Sequence, residues 1–90
     1  MIAIQISLYP IGEKDIDKPL NIFWNVLKEE KINYKITPLS TITWDSDEEK
    51  LYTAIYKAYK EARKICHAVM VTTLATGEEK EIENLLQFLK

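Results

Sequence analysis

The residues of this sequence best placed to make specific contacts are uncharged. Gln5, Ser7 and Tyr9 lie near the amino end, Thr37, Ser40, Thr41 and Thr43 in the middle, and Thr73 further on. A carboxamide, a phenol and several hydroxyls donate and accept hydrogen bonds without bringing a charge. The chemistry of nucleophilic or metal catalysis is much thinner. The one cysteine, Cys66, and the one histidine, His67, are neighbours. Two such ligands fall short of a zinc set, and adjacent residues in a strand point to opposite faces. A single cysteine also excludes a disulfide within the chain and any CxxC site. Cys66 is therefore expected to be a buried structural thiol beside a helix-end His67. The phosphate-cradling GxxxxGK[ST] and GxGxxG patterns and the zincin HExxH are absent. No hydroxyl has a plausible base beside it. The expectation is a protein that is not an enzyme and holds no metal or cofactor.

The chain of 90 residues is long enough for a single domain, 1–90, with one modest core. It is 47% hydrophobic and 29% charged, which is ordinary for a globular protein. Twelve basic and fourteen acidic residues give a net charge of −2, which argues against a nucleic-acid backbone as partner. Lys57, Lys60, Arg63 and Lys64 cluster late in one predicted helix, where cations complement the helix dipole on a solvated face. Asp45, Asp47, Glu48 and Glu49 sit at the start of that helix for the complementary reason. No apolar run approaches the ~20 residues of a membrane span. The amino end enters strand-like alternation at once, without a signal-peptide pattern, so a cytoplasmic location with no membrane partner is expected.

These side chains must be positioned by regular elements. Ile2, Ile4, Ile6 and Leu8 alternate with Ala3, Gln5, Ser7 and Tyr9, so 2–9 reads as a strand ended by Pro10 and Gly12. A helix should begin near Asp17, tolerate Pro19 in its first turn and stop near Glu30 or Lys31, with Asn33 taking a left-handed turn. Its apolar stripe is Leu20, Phe23, Trp24 and Leu27. Residues 33–44 read as two strands joined at Pro38-Leu39, with Tyr34 and Ile36 facing inward. Lys35, Thr37, Thr41 and Thr43 are assigned to the other face, opposite Ile42 and Trp44. Ser46 and Glu49 form a capping box for the second helix. Its buried stripe is Leu51, Ala54, Ile55, Ala58, Ala62 and Ile65, flanked by Tyr52, Tyr56 and Tyr59 as a core edge or subunit contact. Residues 68–75 are apolar on both faces, which suits a central strand. A last helix over roughly 78–89 carries Ile82, Leu85, Leu86 and Leu89.

The order is βαββαβ plus an extra C-terminal helix. It predicts an α+β ferredoxin-like sandwich, a four-stranded antiparallel sheet with two helices on one face. The second face is left bare. It is expected to carry Gln5, Ser7, Tyr9, Thr37, Thr41 and Thr43, with either Val69, Val71 and Thr73 or the Met70/Thr72 set from the last strand. So few charges on a sheet face suggest a covering layer, either a second subunit, a ligand or both.

The segments QISLYPIG, TPLSTITWD and KAYKEARKICHAVMVTTLATG resemble the YkoF-like family of thiamine- and hydroxymethylpyrimidine-binding proteins. The resemblance runs from Ile4 to about Gly77 and is carried chiefly by SLYP and by P-x-S-T in the hairpin. It implies a non-catalytic binding protein of ferredoxin-like fold. It also implies a homodimer or homotetramer paired through the open sheet face, with ligand near the interface. Ser7, Tyr9, Pro10, Ser40 and Thr41 are the positions carried over. Relatives tend to have an acidic residue followed by glycine where this chain has Trp44-Asp45, and Trp44 can either stack on a pyrimidine or fill its pocket. Gln5, Ser7, Thr41 and Thr43 would bond an aminopyrimidine, Tyr9 would wall it, and Asp45 or Tyr9 would face a thiazolium. The alternative is an oligomeric regulatory module of the same fold that binds another metabolite.

Overall fold

Alternation along the first strand sets the architecture, because Ile2, Ile4 and Ile6 all point to one side and are almost wholly buried there. The computed structural model describes residues 1–12 and 14–88. Its elements are β1 (Ile2–Ile11), α1 (Asp17–Glu29), β2 (Asn33–Ile36), β3 (Thr41–Asp45), α2 (Glu48–Ala62), β4 (His67–Thr76) and α3 (Glu79–Phe88). The strands form one sheet in the order β2-β3-β1-β4, each pair antiparallel. This is the ferredoxin-like sandwich expected. Leu89, assigned to the last helix, lies outside the described residues.

The main core lies between the sheet and the two crossing helices. Phe23, Val26 and Leu27 of α1 and Leu51, Ala54, Ile55 and Ala58 of α2 pack with the isoleucines of β1. Burying one such large apolar side chain contributes about 1.5–3 kcal/mol, and the alanines let α2 approach closely. Ile65, expected in this stripe, lies beyond the helix and is partly exposed. The caps also differ in detail from the expected pattern. Asp47, not Ser46, caps α2 by accepting from the Lys50 amide at 3.1 Å. The left-handed residue after α1 is Lys31 (φ 58°), not Asn33. Pro10 lies within β1, not after it. Beyond Ile6 the strand pairs only with β4, and a residue without an N–H is tolerated beside an unpaired edge.

Two placements overturn expectation. β4 is an edge strand, not a central one. Thr41 and Thr43 lie on the helix-covered face, 5% and 0% exposed. Their register explains this: Ile36 opposes Thr41, Tyr34 opposes Thr43, and both threonines also oppose isoleucines of β1. Directly opposed residues share a face. Ile42 and Trp44 therefore point to the second face, with Ala3, Gln5 and Ser7. Val69, Val71 and Thr73 share that face through their pairing with Tyr9, Ser7 and Gln5.

The second face is not wholly bare. Ala3 (6% exposed), Ile42 (3%) and Ile82 of α3 (2%) are buried although none belongs to the two-helix core. We read their burial, at the end of the sheet from which α3 departs, as a smaller core on that face. Reciprocal backbone bonds between Met1 and Gly77 fasten the chain just before that helix.

Candidate functional site

The cleft arises where two strands part company. β3 pairs with β1 only from Ile2 to Ile6, after which the chain turns away through the Pro38-Leu39 turn. From Ser7 onward one edge of β1 has no ladder partner. Every second residue on such an edge offers its N–H and C=O outward. Ile16, just before α1, and Leu20, Phe23 and Trp24 of α1 close the other side. Together they enclose a cleft of about 580 Å³. That size accommodates a small organic ligand.

The hairpin turn is held by its own hydroxyls. Thr37 N–H donates to the Ser40 carbonyl at 2.8 Å, and the Ser40 N–H returns to Thr37 Oγ1 at 3.0 Å. Gln5 ties the turn to the sheet by donating from Nε2 to Ser40 Oγ at 3.0 Å. Ser7 Oγ reaches towards the Leu39 carbonyl at 3.5 Å. On the far wall, Trp24 Nε1 donates to Thr41 Oγ1 at 2.9 Å, which fixes the indole plane. Among the described residues, none that lines the cleft is ionisable except the phenol of Tyr9. The cleft can hold a flat, apolar body and bond its edges through neutral groups.

Of the residues singled out from sequence, Gln5, Ser7, Tyr9, Thr37, Ser40 and Thr41 line this one cleft. Thr43, Trp44 and Thr73 do not. Thr43 is buried against the helices and donates to the Ile4 carbonyl at 2.9 Å. Trp44 pairs with Ala3 and Asn33 at the opposite end of β3, and Thr73 pairs with Gln5 on the second face. Asp45 is equally remote and faces Lys50 at 3.7 Å. Sequence reasoning missed Trp24 as a wall of the cleft. Its signal was its place about two turns into an amphipathic helix that follows SLYP, where an indole both packs and bonds. Among the described residues no group of three or more His, Cys, Asp or Glu side chains converges as a metal set. No helix among them is long and apolar enough to cross a membrane.

Fold and cleft together define a ferredoxin-like domain with a cleft at the end of its sheet whose described lining is uncharged. The solved structures similar to it share that fold at low identity. Protein SP2199 of Streptococcus pneumoniae aligns over 96% of this chain and 97% of its own, with TM-score 0.81 and 16% identity. A Thermotoga maritima protein provisionally assigned to thiamine biosynthesis or salvage aligns over 93% and 97%, with TM-score 0.74 and 10% identity. A Bacillus cereus domain of unknown function, DUF77, aligns over 87% and 77%, with TM-score 0.73 and 11% identity. No protein-family model matches the chain, and no curated protein matches it.

Proposed function

We propose that this protein binds the hydroxymethylpyrimidine moiety of thiamine, free or within the vitamin, in the cleft beside β1, and that it catalyses no reaction. The observation that carries this reading is the neutral lining of the cleft. An aminopyrimidine presents ring nitrogens and an amino group in one plane. The unpaired backbone edge of β1 beyond Ile6, with the side chains of Gln5, Ser7, Thr37 and Ser40, supplies matching donors and acceptors. Tyr9 and Trp24 supply aromatic walls. Among the described lining residues a thiazolium cation would meet aromatic faces and no carboxylate, since Asp45 is at the other end of β3. The pyrimidine end is therefore the part recognised. The resemblance of SLYP and the hairpin to thiamine-binding relatives supports the same ligand, as does the provisional assignment of the Thermotoga protein. In this reading a second copy pairs with the bare part of the second face, where Tyr9, Ile11, Val69 and Val71 are each about half exposed.

A thermal-shift series with hydroxymethylpyrimidine, thiamine and its phosphates tests the reading. Ligand at 100 times its dissociation constant adds about 2.7 kcal/mol to stability, and the melting temperature should rise by several degrees. Gln5→Ala and Ser7→Ala should reduce the rise. The absence of a shift with every one of these compounds would sink the proposal.

A further inference from the structure

Which backbone groups of β1 face the cleft follows from a single pair of hydrogen bonds. Met1 N donates to the Gly77 carbonyl at 3.0 Å, and the Gly77 N–H returns to the Met1 carbonyl at 3.1 Å. In an antiparallel ladder such doubly bonded partners recur at every second residue. The register of β1 with β4 continues without a slip from Ile2↔Thr76 to Ile11↔His67. The odd-numbered residues of β1, Ser7 and Tyr9 among them, therefore direct their peptide groups at β4. The even-numbered residues turn theirs towards β3. Two side-chain bonds agree with this parity. The Ile4 carbonyl accepts from Thr43 of β3, and the Ala68 carbonyl, opposite Pro10, faces away from β1 and accepts from Tyr59 of α2 at 2.7 Å. Ile6 is the last residue of β1 opposed by β3. Leu8 is the next in that series and lines the cleft, where no described residue bonds its N–H or its C=O. Pro10 follows with a carbonyl and no N–H. Along β1 beyond Ile6, the one complete donor–acceptor pair open to the cleft belongs to Leu8.

We propose that the peptide N–H and C=O of Leu8 select the ligand of this cleft, an assignment that rests on the pyrimidine reading above. The N–H donates to a ring nitrogen, and the C=O accepts from the amino group on the adjacent ring carbon. The heterocycle then lies in the plane of the sheet, in the place opposite Leu8 that a residue of β3 would fill. Both of its faces have walls. Thr41, which holds the Trp24 indole, stands opposite Ile6, and the next ladder step of two residues is about 7 Å on. Ser7 and Tyr9, on either side of Leu8, point to the second face. The ligand class follows from the pair: a planar heterocycle whose amino group sits on the carbon next to a ring nitrogen. Discrimination comes from the analogue that lacks one partner, because it strands a peptide group in a partly enclosed cleft. The side chain at position 8 takes no part in this selection.

Isothermal titration calorimetry tests the assignment, comparing hydroxymethylpyrimidine with the same compound carrying hydrogen in place of its amino group. The native chain should bind the analogue on the order of tenfold more weakly. Leu8→Ala and Leu8→Pro both remove the side chain, but only proline removes the N–H, which holds no ladder bond. Leu8→Pro should bind the amino compound on the order of tenfold more weakly than Leu8→Ala, with both shown to be folded by circular dichroism. Amide hydrogen exchange of the native chain needs no variant. The Leu8 amide should exchange fast in the free protein and slowly at saturation with hydroxymethylpyrimidine, whereas the Ser7 and Tyr9 amides stay slow throughout. Equal affinity for the two compounds, equal affinity of the two folded variants, or a Leu8 amide left unprotected by bound ligand would each overturn the assignment while pyrimidine binding stands. Absence of any binding of hydroxymethylpyrimidine to the native chain would overturn both.

Discussion

Thr41 and Thr43 differ by two positions and have different work. Both hydroxyls are buried and both are satisfied, Thr41 by the Trp24 indole and Thr43 by the Ile4 carbonyl. Thr43→Val keeps the shape and removes one neutral hydrogen bond, so it should cost about 1 kcal/mol in urea denaturation and leave ligand affinity unchanged. Thr41→Val strands the indole N–H in a partly buried wall of the cleft. It should cost about 1–3 kcal/mol and also weaken the thermal shift given by hydroxymethylpyrimidine, because the ring plane is no longer fixed. Equal effects of the two substitutions on ligand binding would show that Trp24 does not belong to the site. Threonine fits either face of a strand, and residue type alone therefore does not reveal which face its hydroxyl serves.

At the scale of elements, β1 and both core helices were legible because each follows a single period over many residues. The hairpin was legible in its turn but not in its faces. A two-residue turn at Pro38-Leu39 pairs Thr37 with Ser40 and hence Ile36 with Thr41, which puts both on one side. Hydropathy suggests the reverse, because Ile42 and Trp44 look like core. The turn geometry prevails: on the second face Ile42 is buried and Trp44 half-buried. The run 68–75 misleads for a related reason, since apolarity on both faces describes a strand awaiting a neighbour as well as one that has two. Between α1 and α2, Lys57 is paired with Glu30, which raises the lysine pKa by a hydrogen bond and by charge attraction. A raised folded-state pKa gives stability that is complete below the unfolded value and lost as pH climbs through the folded one. The stability curves of the native chain and of Lys57→Gln should therefore run parallel through neutral pH and converge only above about pH 10. Convergence on acidification down to pH 6 would contradict that assignment.

At the scale of the whole molecule, the chain has two cores of unequal size, and the smaller decides how much of the second face is available to a partner. Ile82 is its anchor, 2% exposed on a helix where Leu85 is partly exposed. Without it, Ala3 and Ile42 would face water on the same side as Tyr9 and Val71, and the apolar strip would extend the length of the sheet. Ile82→Ala should cost about 2–5 kcal/mol, the range for emptying a buried aliphatic site. It should also increase binding of a hydrophobic dye to the folded state. The main core does not contain Ile82, so the sheet and the two crossing helices should stay intact by far-ultraviolet circular dichroism. The cleft lies at the opposite end of β1, and its ligand should still raise the melting temperature of the variant by the same increment as in the native chain. A cost below about 1 kcal/mol would mean that α3 rests on the sheet without stabilising it. Loss of the ligand increment would mean that the two ends of the sheet are coupled through β1.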